Sequence, residues 1–265
     1  MAKILYFDCF AGASGDMVLG ALLDAGLPLS ELQAALGSLM IPGYRLSADR
    51  VMRSGLAATK FRVHEGEGRE VEPHSHGPSA LPHAHGDHRS LAEIVSLIDG
   101  SALPETARRR AADLFRRLAE VEAAIHQMPV ERVHLHEVGA LDSIIDIVGS
   151  VFGLEWFGAG RIVASPLNVG GGMVRSAHGV FPVPAPATLR LLEGVPVYSS
   201  GVQMETVTPT GALLVTGHAA SYGPLPLMKV ARIGYGAGDR DLPETPNVLR
   251  IVIGDEAAGE KEQRV

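Results

Sequence analysis

One cysteine, Cys9, in 265 residues excludes an internal disulfide and fits a reducing compartment, for which the cytoplasm is the default. Aromatic residues are only 5% of the chain, too few for a platform on which bases or sugars stack. Positive charge is also short. Lys and Arg number 23 against 30 Asp and Glu, a net charge of -7, which argues against nucleic acid or an anionic membrane as the main partner. No uncharged apolar run reaches the roughly 18 residues a membrane helix needs, and Asp8 interrupts the N-terminal apolar stretch before it resembles a signal peptide. Neither a GxGxxG loop nor a GK[ST] loop occurs, and no internal repeat is evident.

What is present is an ordinary apolar content of 46%, enough for one large domain or two small ones. Ile4–Phe7 reads as a buried strand that runs through a small-residue loop into an apolar helix from about Met17 to Ala25. Such a layout lets the backbone N–H groups of Gly12, Ser14 and Gly15 receive a phosphate or carboxylate, although a tight turn that needs glycine explains the same residues. Asp8 and Asp16 bracket the loop and suit a Mg²⁺-type ion. Asp16 is equally placed to face a helix dipole. Ser30–Gln33 has the form of a capping box, as does Ser90–Glu93. Tyr44–Met52 and Ala58–His64 alternate as two hairpin strands do, and a long helix starts at Pro104 and ends before Pro129.

Two stretches carry imidazole. Residues 65–89 hold His74, His76, His83, His85 and His88 among Pro, Gly and Ser with no apolar period. That composition predicts a disordered insertion able to capture Ni²⁺, Zn²⁺ or Cu²⁺ weakly and reversibly. The second stretch is VHLHEVGALDSIID, residues 133–146. An extended backbone puts His134 and His136 on one face, and a helix from Asp142 puts Asp142 and Asp146 one turn apart. Together with Glu137 they suit a divalent ion at the edge of a buried helix. The competing reading makes Asp142 an N-cap and the histidines plain strand residues. Further on, Gly170-Gly171-Gly172 permits close approach of backbone to a ligand. His178 lies in a segment too irregular for a core, and so suits chemistry better than His126 or His218. Thr208-Pro209-Thr210 opens a helix with Thr208 as N-cap, a further place for an anion. The tail 255–265 is charged and predicted to fray.

These segments together resemble one family. They are FDCFAGASGDM (7–17), the histidine-rich loop, VHLHEVGALDSIIDI (133–147), SPLNVGGGMVRSAHG (165–179), PVPAPAT (182–188), TPTG (208–211) and GYGAGDRDLPETPNVLR (234–250). The resemblance is to the nickel insertion protein of the nickel-pincer cofactor, the LarC family, and it spans nearly the whole chain.

The resemblance implies an enzyme of the lyase class, a nickel chelatase. It would insert nickel into pyridinium-3,5-bisthiocarboxylic acid mononucleotide, forming one carbon–nickel and two sulfur–nickel bonds, for lactate racemase. It also implies dependence on CTP with Mg²⁺ or Mn²⁺ through a C-terminal domain not found in this sequence, so the chain looks like the N-terminal part. A base is then needed for the ring proton, and His134, His136, Glu137 and His178 are the candidates. The implied partners are the mononucleotide substrate, the lactate racemase apoenzyme and a separate C-terminal domain. A homo-oligomer is compatible with the sequence.

The expected fold is mixed α+β: one main body of residues 1–64 and 90–254, with 65–89 as a flexible loop and 255–265 as a tail. The rival functions are a non-catalytic nickel metallochaperone or storage protein, and a nucleotide-dependent transferase using the Gly12–Asp16 loop.

Overall fold

The computed structural model describes the chain except residues 1, 67–68, 71–88, 134, 136–139, 177–178, 242–244 and 258–265. The first half runs β1 (Lys3–Asp8), α1 (Gly15–Asp24), α2 (Leu29–Gly37), the hairpin β2 (Tyr44–Arg53) and β3 (Leu56–Glu65), β4 (Arg69–Glu70), α3 (Leu91–Asp99) and α4 (Glu105–His126). The second half runs α5 (Leu141–Phe157), β5 (Arg161–Ala164), β6 (Leu167–Asn168), β7 (Met173–Ser176), β8 (Gly179–Pro182), α6 (Pro186–Leu191), β9 (Val197–Tyr198), α7 (Pro209–His218), β10 (Ser221–Tyr222), β11 (Met228–Ala237) and β12 (Val248–Glu256). The expected mixed α+β class is what the structure shows. No helix among the described residues is long and apolar enough to cross a membrane.

The main sheet has the order β10-β5-β1-β12-β11-β3-β2, with β4 added beside β3. β1 pairs parallel with β5 and antiparallel with β12, and β11 pairs antiparallel with β12 and parallel with β3. The carboxyl ends of β1, β3, β5, β10 and β11 therefore point to the same edge. In open α/β sheets that edge is where ligands bind.

The helices cover one face. α1 lies across β3 and β11, and Gly234 and Gly236 have no room for a Cβ beneath its backbone. The apolar-all-round segment predicted after Asp142 is α5, buried along most of its length. Its Gly149 meets Leu19 and Leu32, and its Gly153 meets Leu22 and Leu27. α4 and α7 close the other side of α5. Burial of Leu19, Leu22, Ile144, Ile145, Ile147 and Val148 in one cluster is the main force fixing α1 against α5.

The capping signals divide. Ser90 accepts from the Glu93 N–H and Glu93 reaches back, a complete capping box. Thr208 caps α7, with Pro209 in the first position as expected. Ser30 does not cap, because α2 starts one residue before it with Pro28 as N-cap. Asp142 is not the N-cap of α5 either; that place belongs to Ala140, and Asp142 stands in the first turn. Two boundaries also move. β3 continues to Glu65 and is joined by Arg69–Glu70, inside the segment read as a loop. Asp255 and Glu256, read as tail, extend β12 opposite Lys3 because strand pairing satisfies their backbone.

His218 ends α7. Its Nδ1 lies 2.8 Å from the Leu214 carbonyl, which accepts its proton. Burial, with Arg110 adding to it against the favourable Leu214 bond, pushes its pKa down to about 4. The folded protein thus holds His218 neutral, whereas the unfolded chain takes up a proton below about 6.5. Stability is complete above that pH and falls as pH drops from about 6.5 towards 4. The loss is roughly 2–3 kcal/mol after allowing for partial solvent contact. Urea melts at pH 7 and pH 4.5 check this: His218→Gln should show a smaller acid loss than the parent chain.

Candidate functional site

At the carboxyl edge of the sheet the first loop is held by its neighbours. The Gly12 N–H donates to the Cys9 carbonyl at 3.0 Å and the Ala13 N–H to the Thr206 carbonyl at 2.9 Å. The Cys9 N–H donates to Ser165 Oγ at 2.9 Å. Asn168, buried, donates to the Phe10 carbonyl at 2.8 Å and to Ser200 Oγ at 2.9 Å. In the second glycine loop the Gly170 N–H goes to Asn168 Oδ1 and the Gly171 N–H to the Met204 carbonyl.

Gly12, Gly170 and Gly211 are glycines because a Cβ would overlap the carbonyls of Thr206, Met204 and Ala13 respectively. Gly171 and Gly172 are more open, with nearest atoms at 3.4 Å. Thr208 spends its hydroxyl on the Gly211 N–H at 3.1 Å, and Thr210 is buried. The donors named as anion seats are thus largely engaged in joining three loops to one another.

The start of α1 is where charge collects. Lys60, on β3, is 2% exposed, and its ammonium pairs with Asp16 and, at 2.6 Å, with Asp239. Ser14 donates to Asp16 rather than capping the helix. Asp146 reaches the same place from α5: its carboxyl fills the space a Cβ on Gly15 would need. It is half-buried. Among the described residues it makes no hydrogen bond or ion pair.

The enclosure first, and the charges of Asp16 and Asp142 next, hold the Asp146 carboxyl well above the ordinary aspartate range; Lys60 works the other way. Burial alone would push the Lys60 ammonium down, but Asp16 and Asp239 carry it above the usual lysine value. Residues 238–241, just after β11, are held over this group. Arg53 grips the Gly238 carbonyl at 2.7 and 2.9 Å, the Ser54 N–H donates to Asp241 at 3.1 Å, and Asn247 donates to the Arg240 carbonyl at 3.0 Å.

The sequence-derived aspartates therefore separate. Asp16 and Asp146 come together. Asp142 accepts from the Ser143 N–H at 2.8 Å and contributes charge to Asp146. Asp8 stands elsewhere, paired with Arg250 on the neighbouring strand, with Arg250 Nε at 2.9 Å. Among the described residues no three His, Cys, Asp or Glu side chains are grouped as a metal ion requires. His74, His76, His83, His85, His88, His134, His136, Glu137 and His178 lie outside the described residues.

Residues 5–265 match the family described as nickel insertion protein. The chain belongs to that family. A Geobacillus kaustophilus relative named pyridinium-3,5-bisthiocarboxylic acid mononucleotide nickel insertion protein is 49% identical over 254 residues. The aligned part is 96% of this chain and 60% of the relative. A Desulfitobacterium hafniense relative with the same name is 44% identical over 261 residues, 98% of this chain and again 60% of the relative. The chain thus spans about three fifths of the length of these relatives. No solved structure matches it.

Two residues of the charged group were not legible as site residues in the sequence. Lys60 sits in a hairpin strand whose alternation reads as half-exposed, and no local pattern signals that its ammonium is buried. Asp239 lies in the GYGAGDRDLPETPNVLR segment, recognisable only as a family stretch. What links them is the parallel β3–β11 pairing at Thr59 and Gly236, a tertiary fact.

Proposed function

We propose that this chain is the part of a nickel insertion protein that brings Ni²⁺ to pyridinium-3,5-bisthiocarboxylic acid mononucleotide and supports its insertion. The observation that carries the reading is family membership across residues 5–265, with relatives whose names specify that substrate. The charged group at the start of α1 supports it, because carboxylates gathered beside a buried ammonium at the carboxyl edge of a sheet suit proton and cation chemistry. The product would serve lactate racemase, and the reaction would fall in the lyase class.

Nickel reaches the protein as cargo. The imidazoles of His74, His76, His83, His85 and His88 are its first binders in this reading. β3 gives that segment a root near the site, since Glu65 ends the strand five residues after Lys60, about 17 Å away. His134, His136, Glu137 and His178 remain proposed participants. The main body 1–64 and 90–254 acts as one unit in this reading.

CTP with Mg²⁺ or Mn²⁺ does not fit the described loops. A triphosphate needs available backbone donors and its ion needs available carboxylates. Here the donors of Gly12, Ala13, Gly170 and Gly171 are engaged, and Asp8 and Asp16 are paired with Arg250 and Lys60. We assign any nucleotide requirement to the part of the relatives that this chain does not match.

Mass spectrometry of the mononucleotide after incubation with the chain, Ni²⁺ and CTP with Mn²⁺ tests the reading. One arm uses the chain alone and another adds the remaining part of the Geobacillus relative. A nickel-bearing product in either arm supports it, and no product in both overturns it. A carrier that only holds nickel is separated by deleting residues 74–88. An insertion enzyme keeps its maximal rate and needs about tenfold more nickel once the tethered ligand reservoir is gone. A carrier loses nickel delivery at every concentration.

A further inference from the structure

We propose that Asp146 is the base of the insertion reaction and Lys60 the residue that positions it. This rests on the reading above and names the groups of the same site. A metal held by the two thiocarboxylate sulfurs at ring positions 3 and 5 faces ring carbon 4. Forming a nickel–carbon bond there breaks the C4–H bond. Its electron pair becomes the new bond, nickel stays divalent, and a proton must leave to a base. No oxidant or reductant is needed.

The described carboxylates differ in what they have left to give. Asp16 is tied to Lys60 and Ser14. Asp239 is tied to Lys60 at 2.6 Å. Asp142 accepts from the Ser143 N–H. Asp146 alone of the four has no hydrogen bond or ion pair among the described residues, and its carboxyl lies against the Gly15 backbone. An enclosed carboxyl without a partner is costly, and native proteins keep such groups where chemistry needs them. Gly15 makes the arrangement possible, since any larger residue at the start of α1 would collide with the Asp146 carboxyl.

Four charged groups face Asp146: Asp16 from α1, Asp142 from its own helix, Lys60 from β3 and Asp239 from the β11–β12 connection. Lys60 is the lone cation among them. Its ammonium fixes two of the anions in place and offsets their repulsion of the third.

The mass-spectrometric assay, run as a time course over pH with the relative's remaining part added, decides it. Asp146→Asn should lower kcat by about 100-fold or more, while KM for the mononucleotide and for Ni²⁺ stays within about threefold. Asp146→Glu should recover part of the rate. Lys60→Met removes a cation facing Asp146 and should move the acidic limb of the kcat/KM profile to higher pH, with Lys60→Arg restoring it. Asp239→Asn removes an anion and should move the limb to lower pH, a readout that survives if Lys60→Met fails to fold. Asp146→Asn with kcat within about threefold of the parent chain overturns the proposal, as does a parallel loss of Ni²⁺ affinity, which would make Asp146 a ligand. Absence of product from the parent chain overturns the function and the proposal together; product from it with an unaffected Asp146→Asn overturns the proposal alone.

Discussion

Gly12→Ala is expected to destabilise the protein by about 4 kcal/mol, the largest effect of any single methyl group in the first loop. Two costs add. Gly12 has φ of +96°, where a Cβ is disfavoured by roughly 1 kcal/mol or more. The added methyl would also overlap the Thr206 carbonyl. That carbonyl cannot retreat cheaply, because it accepts the Ala13 N–H at 2.9 Å and belongs to the chain that leads into the capped start of α7. Overpacking against fixed backbone costs about 1–3 kcal/mol.

Gly43→Ala is the control. Its φ of +81° carries the same kind of strain, but nothing lies within 4 Å of the added carbon. It should cost about 1 kcal/mol. Chemical denaturation of both variants measures the difference. Equal losses would mean that the loops joined through Thr206 yield easily, and the rigid three-loop edge described above would be wrong.

That comparison also marks the limit of what residue order conveys. The glycines at 12, 15 and 170 were visible as places where backbone comes close to something. Whether that something is a ligand or another loop depends on which strands are neighbours, and parallel strand order has no local signature. The same holds for the aspartates. Asp16 was legible as a helix-start carboxylate, and the one-turn spacing of Asp142 and Asp146 was legible too. Their meeting across Gly15 follows from α1 packing on α5 through Leu19, Leu22 and Gly149, which periodicity alone does not set. Elements with strong local chemistry were read correctly: the β2–β3 hairpin, the Ser90 box, the Thr208 cap and the buried α5. Ser30 failed because Pro28, with its fixed φ, already serves as the cap two residues earlier.

Lys60→Met should be the second most damaging change, at about 3 kcal/mol, or near 10 °C in Tm for a chain of this size. Removing one partner of a buried ion pair costs about 3–5 kcal/mol because the other partner stays charged. Asp16 and Asp239 keep 23% and 39% of their side-chain surface, so water takes up part of the loss. Asp146→Asn should act in the opposite direction. It removes an enclosed carboxyl that repels Asp16 and Asp142, and should stabilise by about 1 kcal/mol.

The two changes face each other and will not add. In the Asp146→Asn background, Lys60 has one anion fewer to offset, so Lys60→Met should cost about 1 kcal/mol less there than in the parent chain. A thermal-melt double-mutant cycle reads that difference directly. Strict additivity would place the Lys60 ammonium and the Asp146 carboxyl too far apart to sense each other, and the charged group at the start of α1 would then be two unrelated pairs instead of one site.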